Sequence, residues 1–259
     1  MLNLSFIGAL NGVIGDYLHQ TKNPLSINMG LYHNETPIQT DLSKIQSNYP
    51  NSNRNVCLFL HGAASIETHW NKNATINYAE SLYNKYNYLP LFVRYNSGLH
   101  ISENGKQLNS LLKALCAVNS IDDIVIIGHS MGGLVFRSAV FYAHQYSSNW
   151  VKKVKHAFYL GSPHQGAPLE KFGAFTQSIL EKIPNPYTKA THKLINIRSN
   201  GIKDLRHGYL RDEEWLAEKS DAFPTNRKTE VSSTFNFNQY VVAATVAKNI
   251  DSLLSLIHI

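Results

Sequence analysis

At 259 residues, 43% of them hydrophobic and 16% charged, the chain has a globular composition and the length of one α/β domain, too short for two ordinary domains and a linker. The formal net charge of +6 is scattered, with one modest cluster at Lys152, Lys153 and Lys155, and no recognised binding motif accompanies it, which argues against a nucleic-acid partner. No run reaches the roughly 18 apolar residues of a membrane span, and Met1 to Leu18 has no Lys or Arg and carries Asn11 and Asp16, unlike a signal peptide, so the expectation is a soluble, cytoplasmic protein.

Residues 1–50 read as an amphipathic helix, a turn at Asn23 and Pro24, and short extended pieces around 27–32 and 37–39, leading into an antiparallel edge. Apolar runs follow at 56–60, 89–93, 124–127, 157–160 and 240–246. They do not alternate, which predicts strands covered on both faces, as in a parallel sheet. Between them Leu108, Leu111, Leu112 and Leu115 mark one helix face, and 131–143 is apolar nearly all round, as a central helix would be. Strand then helix, repeated, predicts a mostly parallel α/β sheet. Residues 184–226 turn polar and irregular, with Pro184, Pro186 and Pro224, and are expected to form a cap or lid insertion within a single domain spanning 1–259. Cys57, in an apolar run, and Cys116, on a helical face, read as small core hydrophobes in a reduced compartment.

Gly128-His129-Ser130-Met131-Gly132 matches G-x-S-x-G, where the serine sits on a sharp strand-to-helix turn and the glycines allow backbone that a Cβ would crowd. The pattern alone is weak; by glycine abundance it arises by chance in roughly one chain of this length in ten. Context strengthens it: a buried strand at 123–127 precedes it, and Gly133-Leu134-Val135-Phe136 opens an apolar helix after it. A plain turn serine is the competing reading. As a nucleophile, Ser130 needs a base for its proton and donors for the charge that develops on the attacked carbonyl. The N–H of Met131 is one candidate donor. The strand end Leu58-Phe59-Leu60-His61-Gly62-Ala63 offers a second, the N–H of Ala63, with Gly62 allowing close approach; the alternative is that His61-Gly62 simply ends a strand. His61 and His129 are expected to fix these loops.

Together Phe59-Leu60-His61-Gly62, Gly128-His129-Ser130-Met131-Gly132-Gly133 and Gly161-Ser162-Pro163-His164-Gln165-Gly166-Ala167-Pro168 resemble bacterial lipases and esterases of the α/β-hydrolase superfamily, most of all the branch related to the GPI inositol-deacylase domain. The similarity extends to Leu10-Asn11-Gly12, Asn23-Pro24-Leu25, Arg94-Tyr95-Asn96-Ser97-Gly98 and Ser199-Asn200-Gly201-Ile202-Lys203-Asp204-Leu205. The resemblance implies an α/β-hydrolase three-layer sandwich and hydrolysis of a small-molecule or lipid-like ester, with no metal and no organic cofactor. An acyltransferase on the same acyl-enzyme, or a hydrolase-like scaffold used only for binding, are the other readings.

The expected order is serine, acid, histidine, which counts against His164 as base. His69, His144, His156, His192 and His207 lack metal-ligand spacing and read as surface or packing residues. Asp204, Asp212, Asp221 and Asp251 all follow Ser130, but only Asp251 comes after the 240–246 strand. The only histidine after that strand is His258, next to the last residue. Residues 254–259, Leu-Ser-Leu-Ile-His-Ile, are what CTG TCT CTT ATA CAC ATC encodes, a transposon-end sequencing adapter, so the tail is expected to be artefactual. The resemblance implies that acid and base lie further on, and the expectation is a truncated copy, nearly inactive as written.

Overall fold

A computed structural model describes residues 3–33, 35–46, 49–52, 54–71, 77–166, 199–216 and 236–243. Helix α1 (Leu4–Gln20) begins at Asn3, whose side chain accepts the Ser5 N–H and so satisfies one of the donors that a helix start leaves unpaired. A hairpin of β1 (Gly30–His33) and β2 (Thr36–Ile38) and a short helix α2 (Ser43–Gln46) lead to β3 (Asn55–Leu60). Then come α3 (Tyr78–Tyr86), β4 (Leu89–Arg94), α4 (Ile101–Val118), β5 (Asp123–His129), α5 (Met131–Gln145) and β6 (Val154–Leu160). Helices α6 (Asn200–His207) and α7 (Asp212–Leu216) precede β7 (Asn238–Val242).

The seven strands form one sheet in the order β2-β1-β4-β3-β5-β6-β7. Strands β3 to β7 run parallel, and β1 is antiparallel to both β2 and β4, the edge arrangement expected of the first fifty residues. The period-2 pleat divides β3 between two apolar layers. Val56, Leu58 and Leu60 face a core completed by Leu108, Leu112 and Leu115 of α4 and Leu134, Val135 and Phe136 of α5, whereas Cys57 and Phe59 face a second layer with Phe92, Val125 and Ala79 of α3. Both faces are covered, which is why these runs are apolar without alternation. Burying each such Leu or Phe contributes about 1.5–3 kcal/mol.

Strand β7 differs from expectation. It starts at Asn238, and all five of its residues are exposed, with Val242 50% accessible, where coverage on both faces was expected. Among the described residues β7 has β6 alone beside it. Residues 199–216, the middle of the expected cap, fold as α6 and α7 and contribute Leu205 and Leu210 to the main core. The rest of the 184–226 segment and residues 254–259 lie outside the described residues. No helix among the described residues is long and apolar enough to cross a membrane.

Parallel strands put all their carboxyl ends on one edge, where an open α/β sheet places its ligands. The segments after β3, β4, β5 and β6 therefore gather at a single rim.

Candidate active site

Ser130 stands at that rim, at the turn from β5 into α5, with φ +52° and ψ −119°. L-residues avoid this region, and such strain persists only where surrounding structure imposes it. Here the constraints are visible. The Ser130 N–H donates to Leu160 O of β6 at 2.9 Å. A Cβ on Gly128 would lie 2.7–2.9 Å from the Gly132 and Gly133 backbone, and one on Gly132 would lie 2.5 Å from Leu60 O and 2.7 Å from His61 O. Both contacts are impossible for a real side chain, so the two motif glycines let α5 start hard against the end of β3. Ser130 itself stays partly exposed.

The segment after β3 lies directly beside it. A Cβ on Gly62 would come within 2.9 Å of His129 Nδ1 and 3.2 Å of Ser130 Cβ. His61 is fully buried, with both ring nitrogens engaged: Nδ1–H donates to Gly62 O at 2.8 Å, and Nε2 accepts the Tyr95 N–H at 3.2 Å. These partners assign the tautomer. Gly62 C=O and Ala63 N–H belong to one planar peptide, so the bond from His61 aims the Ala63 N–H and polarises it. Tyr95 stacks on the His61 ring at 4.1 Å, and its hydroxyl donates to His61 O at 2.6 Å. Neither Ala63 N–H nor Met131 N–H donates to a protein acceptor among the described residues. Met131 N–H is also the first of α5, where the helix dipole favours negative charge.

Burial pushes the His61 imidazole down to about 3, with a further push from His69, Arg94 and His129, so it is neutral at neutral pH and serves as a fixed strut. His129 is lowered to about 4, first by burial and then by His69, on which it stacks at 4.8 Å. His164 sits after β6 as expected, but its Nδ1 meets Arg137 Nη1 at 3.0 Å, and burial followed by that guanidinium lowers it to about 4. Both features suit a structural acceptor better than a base near neutrality. No described histidine bonds to Ser130 Oγ.

Of the carboxylates that follow Ser130, Asp204 is buried and committed elsewhere. It pairs with His100 Nδ1 at 3.0 Å and accepts the Ile101 N–H at 2.8 Å, closing the start of α4. Burial raises its pKa, and His100 opposes that rise. Asp212 pairs with Lys106. Asp221, Asp251, His192 and His258 lie outside the described residues. Among the described residues no group of three His, Cys, Asp or Glu side chains could hold a metal ion.

The structure brings Ser130, Met131, Ala63, His61, Gly62, Gly128, His129 and Gly132 to one place. It adds residues to which sequence reasoning assigned no role. Arg94 makes a two-pronged ion pair with Glu67, just past the Ala63 loop, and lies 3.8 Å over the Tyr32 ring. Ser97 Oγ accepts the Ala64 N–H at 2.9 Å. Gly12 of α1 lies so close that a Cβ there would meet Ala64 Cβ at 2.4 Å. The signal available was that 10–12, 94–98 and 199–205 appeared as separate stretches of resemblance. In the fold they meet: Ser199 Oγ donates to Gly12 O at 2.6 Å, and Gly201 N–H donates to Gly98 O at 3.1 Å.

Comparison with known proteins gives the family of the chain. The family model described as the PGAP1-like alpha/beta domain matches residues 65–241, more than half of the chain. Among solved structures, the mature form of Bacillus licheniformis lipase BlEst2 is similar at 18% identity and a TM-score of 0.47, over 77% of this chain and 69% of that one. Its propeptide form gives 17% and 0.48, and there the match spans 74% of this chain and 36% of the other. A lipase-esterase related protein from Clostridium acetobutylicum gives 11% and 0.40, over 74% and 86%. No curated protein matches the chain. The chain belongs to the PGAP1-like alpha/beta domain family.

Proposed function

We propose that this chain is a serine hydrolase that cleaves carboxylic esters through an acyl-enzyme on Ser130. Ser130 Oγ adds to the ester carbonyl as a base takes its proton. The N–H groups of Ala63 and Met131 receive the oxyanion, and the alcohol leaves with a proton. Water then adds to the acyl-enzyme by the same route, releasing the acid and restoring the hydroxyl. The observation that carries the reading is the strained, accessible Ser130 at the head of α5, beside a loop whose Ala63 N–H is aimed and meets no acceptor among the described residues.

Labelling with a fluorophosphonate probe, together with hydrolysis of chromogenic esters of increasing acyl length, tests it. The expected result is labelling and turnover that disappear in Ser130→Ala while the circular dichroism spectrum is kept. Loss of the nucleophile in a complete triad removes on the order of a million-fold in kcat. Labelling that survives the substitution assigns the nucleophile elsewhere, and a protein that never labels has no activated serine, as a binding scaffold or a chain without its base would.

A further inference from the structure

We infer that Ser97 is a positioning residue for the oxyanion loop: its hydroxyl holds the peptide downstream of Ala63 as His61 holds the one upstream. The inference rests on the proposed function and names the part of the fold that sets its donor geometry.

Ala63 lies between two planar peptides. The upstream plane carries Gly62 C=O and Ala63 N–H, and it is fixed by His61 Nδ1–H. The downstream plane carries Ala63 C=O and Ala64 N–H, and its recorded side-chain partner is Ser97 Oγ, at 2.9 Å. Ala64 stands at φ +54°, a region where its Cβ is disfavoured, so the turn holds only while something restrains it. Ala64 and Ser97 are both buried, at 3% and 1% exposure, so water cannot replace a lost partner freely.

Ser97 is suited to this because its own backbone cannot yield. A Cβ on Gly201 would lie 2.1 Å from Ser97 O, and one on Gly98 would lie 2.2 Å from Asn11 O, so α6 and α1 press on the segment from two sides. The hydroxyl thus extends from a rigid seat. With Ala64 N–H occupied by Ser97, Ala63 N–H is the neighbouring amide that meets no acceptor among the described residues. Removing the hydroxyl leaves the downstream peptide free to turn, Ala64 able to leave its left-handed conformation, and Ala63 N–H steered from one side only.

The test compares Ser97→Ala with Ser138→Ala in the full chain. Ser138 is an equally buried hydroxyl on α5 that donates to Leu210 O at 2.6 Å, away from the loop, and so serves as a matched structural control. Loss of a whole oxyanion donor costs about 100- to 1000-fold, so a loosened one in Ser97→Ala should cost about 10- to 30-fold in kcat and in the phosphonate labelling rate, with KM within about twofold. Amide exchange at Ala64 should accelerate in the same variant. Ser138→Ala should change neither kcat nor the Ala64 amide. Unchanged Ala64 protection in Ser97→Ala overturns the inference whatever the activity, and so does an unchanged kcat or an equal loss in Ser138→Ala. Absence of any Ser130-dependent reaction in the unsubstituted chain is a separate result, which overturns the hydrolase reading and this inference with it.

Discussion

Gly12→Ala separates local propensity from tertiary packing by the sign of its effect. Gly12 lies inside α1, where replacing glycine by alanine ordinarily stabilises by about 1 kcal/mol. The fold reverses this. The new Cβ would stand 2.4 Å from Ala64 Cβ, 2.5 Å from Ala64 Cα and 2.8 Å from Ala64 N. None of these atoms is the far end of a flexible side chain, so no rotamer change relieves the contact. The helix must move off the loop, or Ala64 must leave its turn. Overpacking of this kind costs typically about 1–3 kcal/mol, and with backbone on the opposing side the upper value applies. After the propensity gain is subtracted, the net loss is about 2 kcal/mol, or about 4–8 °C in Tm for a domain of this size. Urea unfolding followed by tryptophan fluorescence measures it. Gly8→Ala, whose Cβ would meet Ile66 Cγ2 at 3.0 Å, should lose less. A Gly12→Ala protein as stable as the parent, or more so, would refute the packing of α1 on the loop at Ala64.

Stability should fall in mild acid. His61, His129 and His164 are depressed to about 3, 4 and 4 from an ordinary 6.5, so the unfolded chain binds more protons than the native one between those values. Their contribution is present above about pH 6.5 and is lost as pH falls towards 4. The urea midpoint at pH 7, 6 and 5 should therefore decrease, and a flat profile would contradict the burial of these rings. Glu67→Ala leaves Arg94 without its carboxylate in a nearly closed site, the two side chains being 3% and 13% exposed. Breaking such a pair costs about 3–5 kcal/mol, whereas adding Arg94→Met should recover at least half of that, and additive losses in the double variant would refute the coupling.

Much of the fold was legible because its signals are local. The runs at 56–60, 89–93, 124–127 and 157–160 became strands within a few residues of those bounds, since burial on both faces forces each to be apolar throughout. The sharp turn at Ser130 was legible because Gly128 and Gly132 answer contacts made within the same few residues or with the adjacent strand. Ser97, Arg94 and Gly12 were not, because their roles exist only across 33, 27 and 52 residues of chain. The first two distances are those of the Ala64 and Glu67 hydrogen bonds, and the third joins Gly12 to Ala64. An isolated serine after a strand carries no periodicity that announces such a partner. The coverage expected for β7 was not found for a related reason: apolar composition marks a strand but does not say what packs on its faces.

The elbow glycines have a second use that follows from where their missing side chains would point. Gly128 faces the backbone of its own turn, and its substitution would distort the elbow alone. Gly132 faces Leu60 O at the end of β3 and His61 O of the loop after it, so any side chain there would push the head of α5 away from both. In the proposed reaction the two oxyanion donors come from the two sides of that gap, Met131 N–H from the head of α5 and Ala63 N–H from the loop after β3. Two donors stabilise one oxyanion only if their spacing matches a single oxygen, with each about 2.7–3.1 Å away. Gly62 keeps the same gap closed from the other side, with His129 Nδ1 and Ser130 Cβ against it. The glycines at 62 and 132 are therefore required by the distance between two loops as much as by the turn in either, which ties G-x-S-x-G and the His61-Gly62 strand end into one device. Ser97 and Gly12 complete it from behind by fixing Ala64, so that the loop cannot retreat from the gap that the glycines keep narrow.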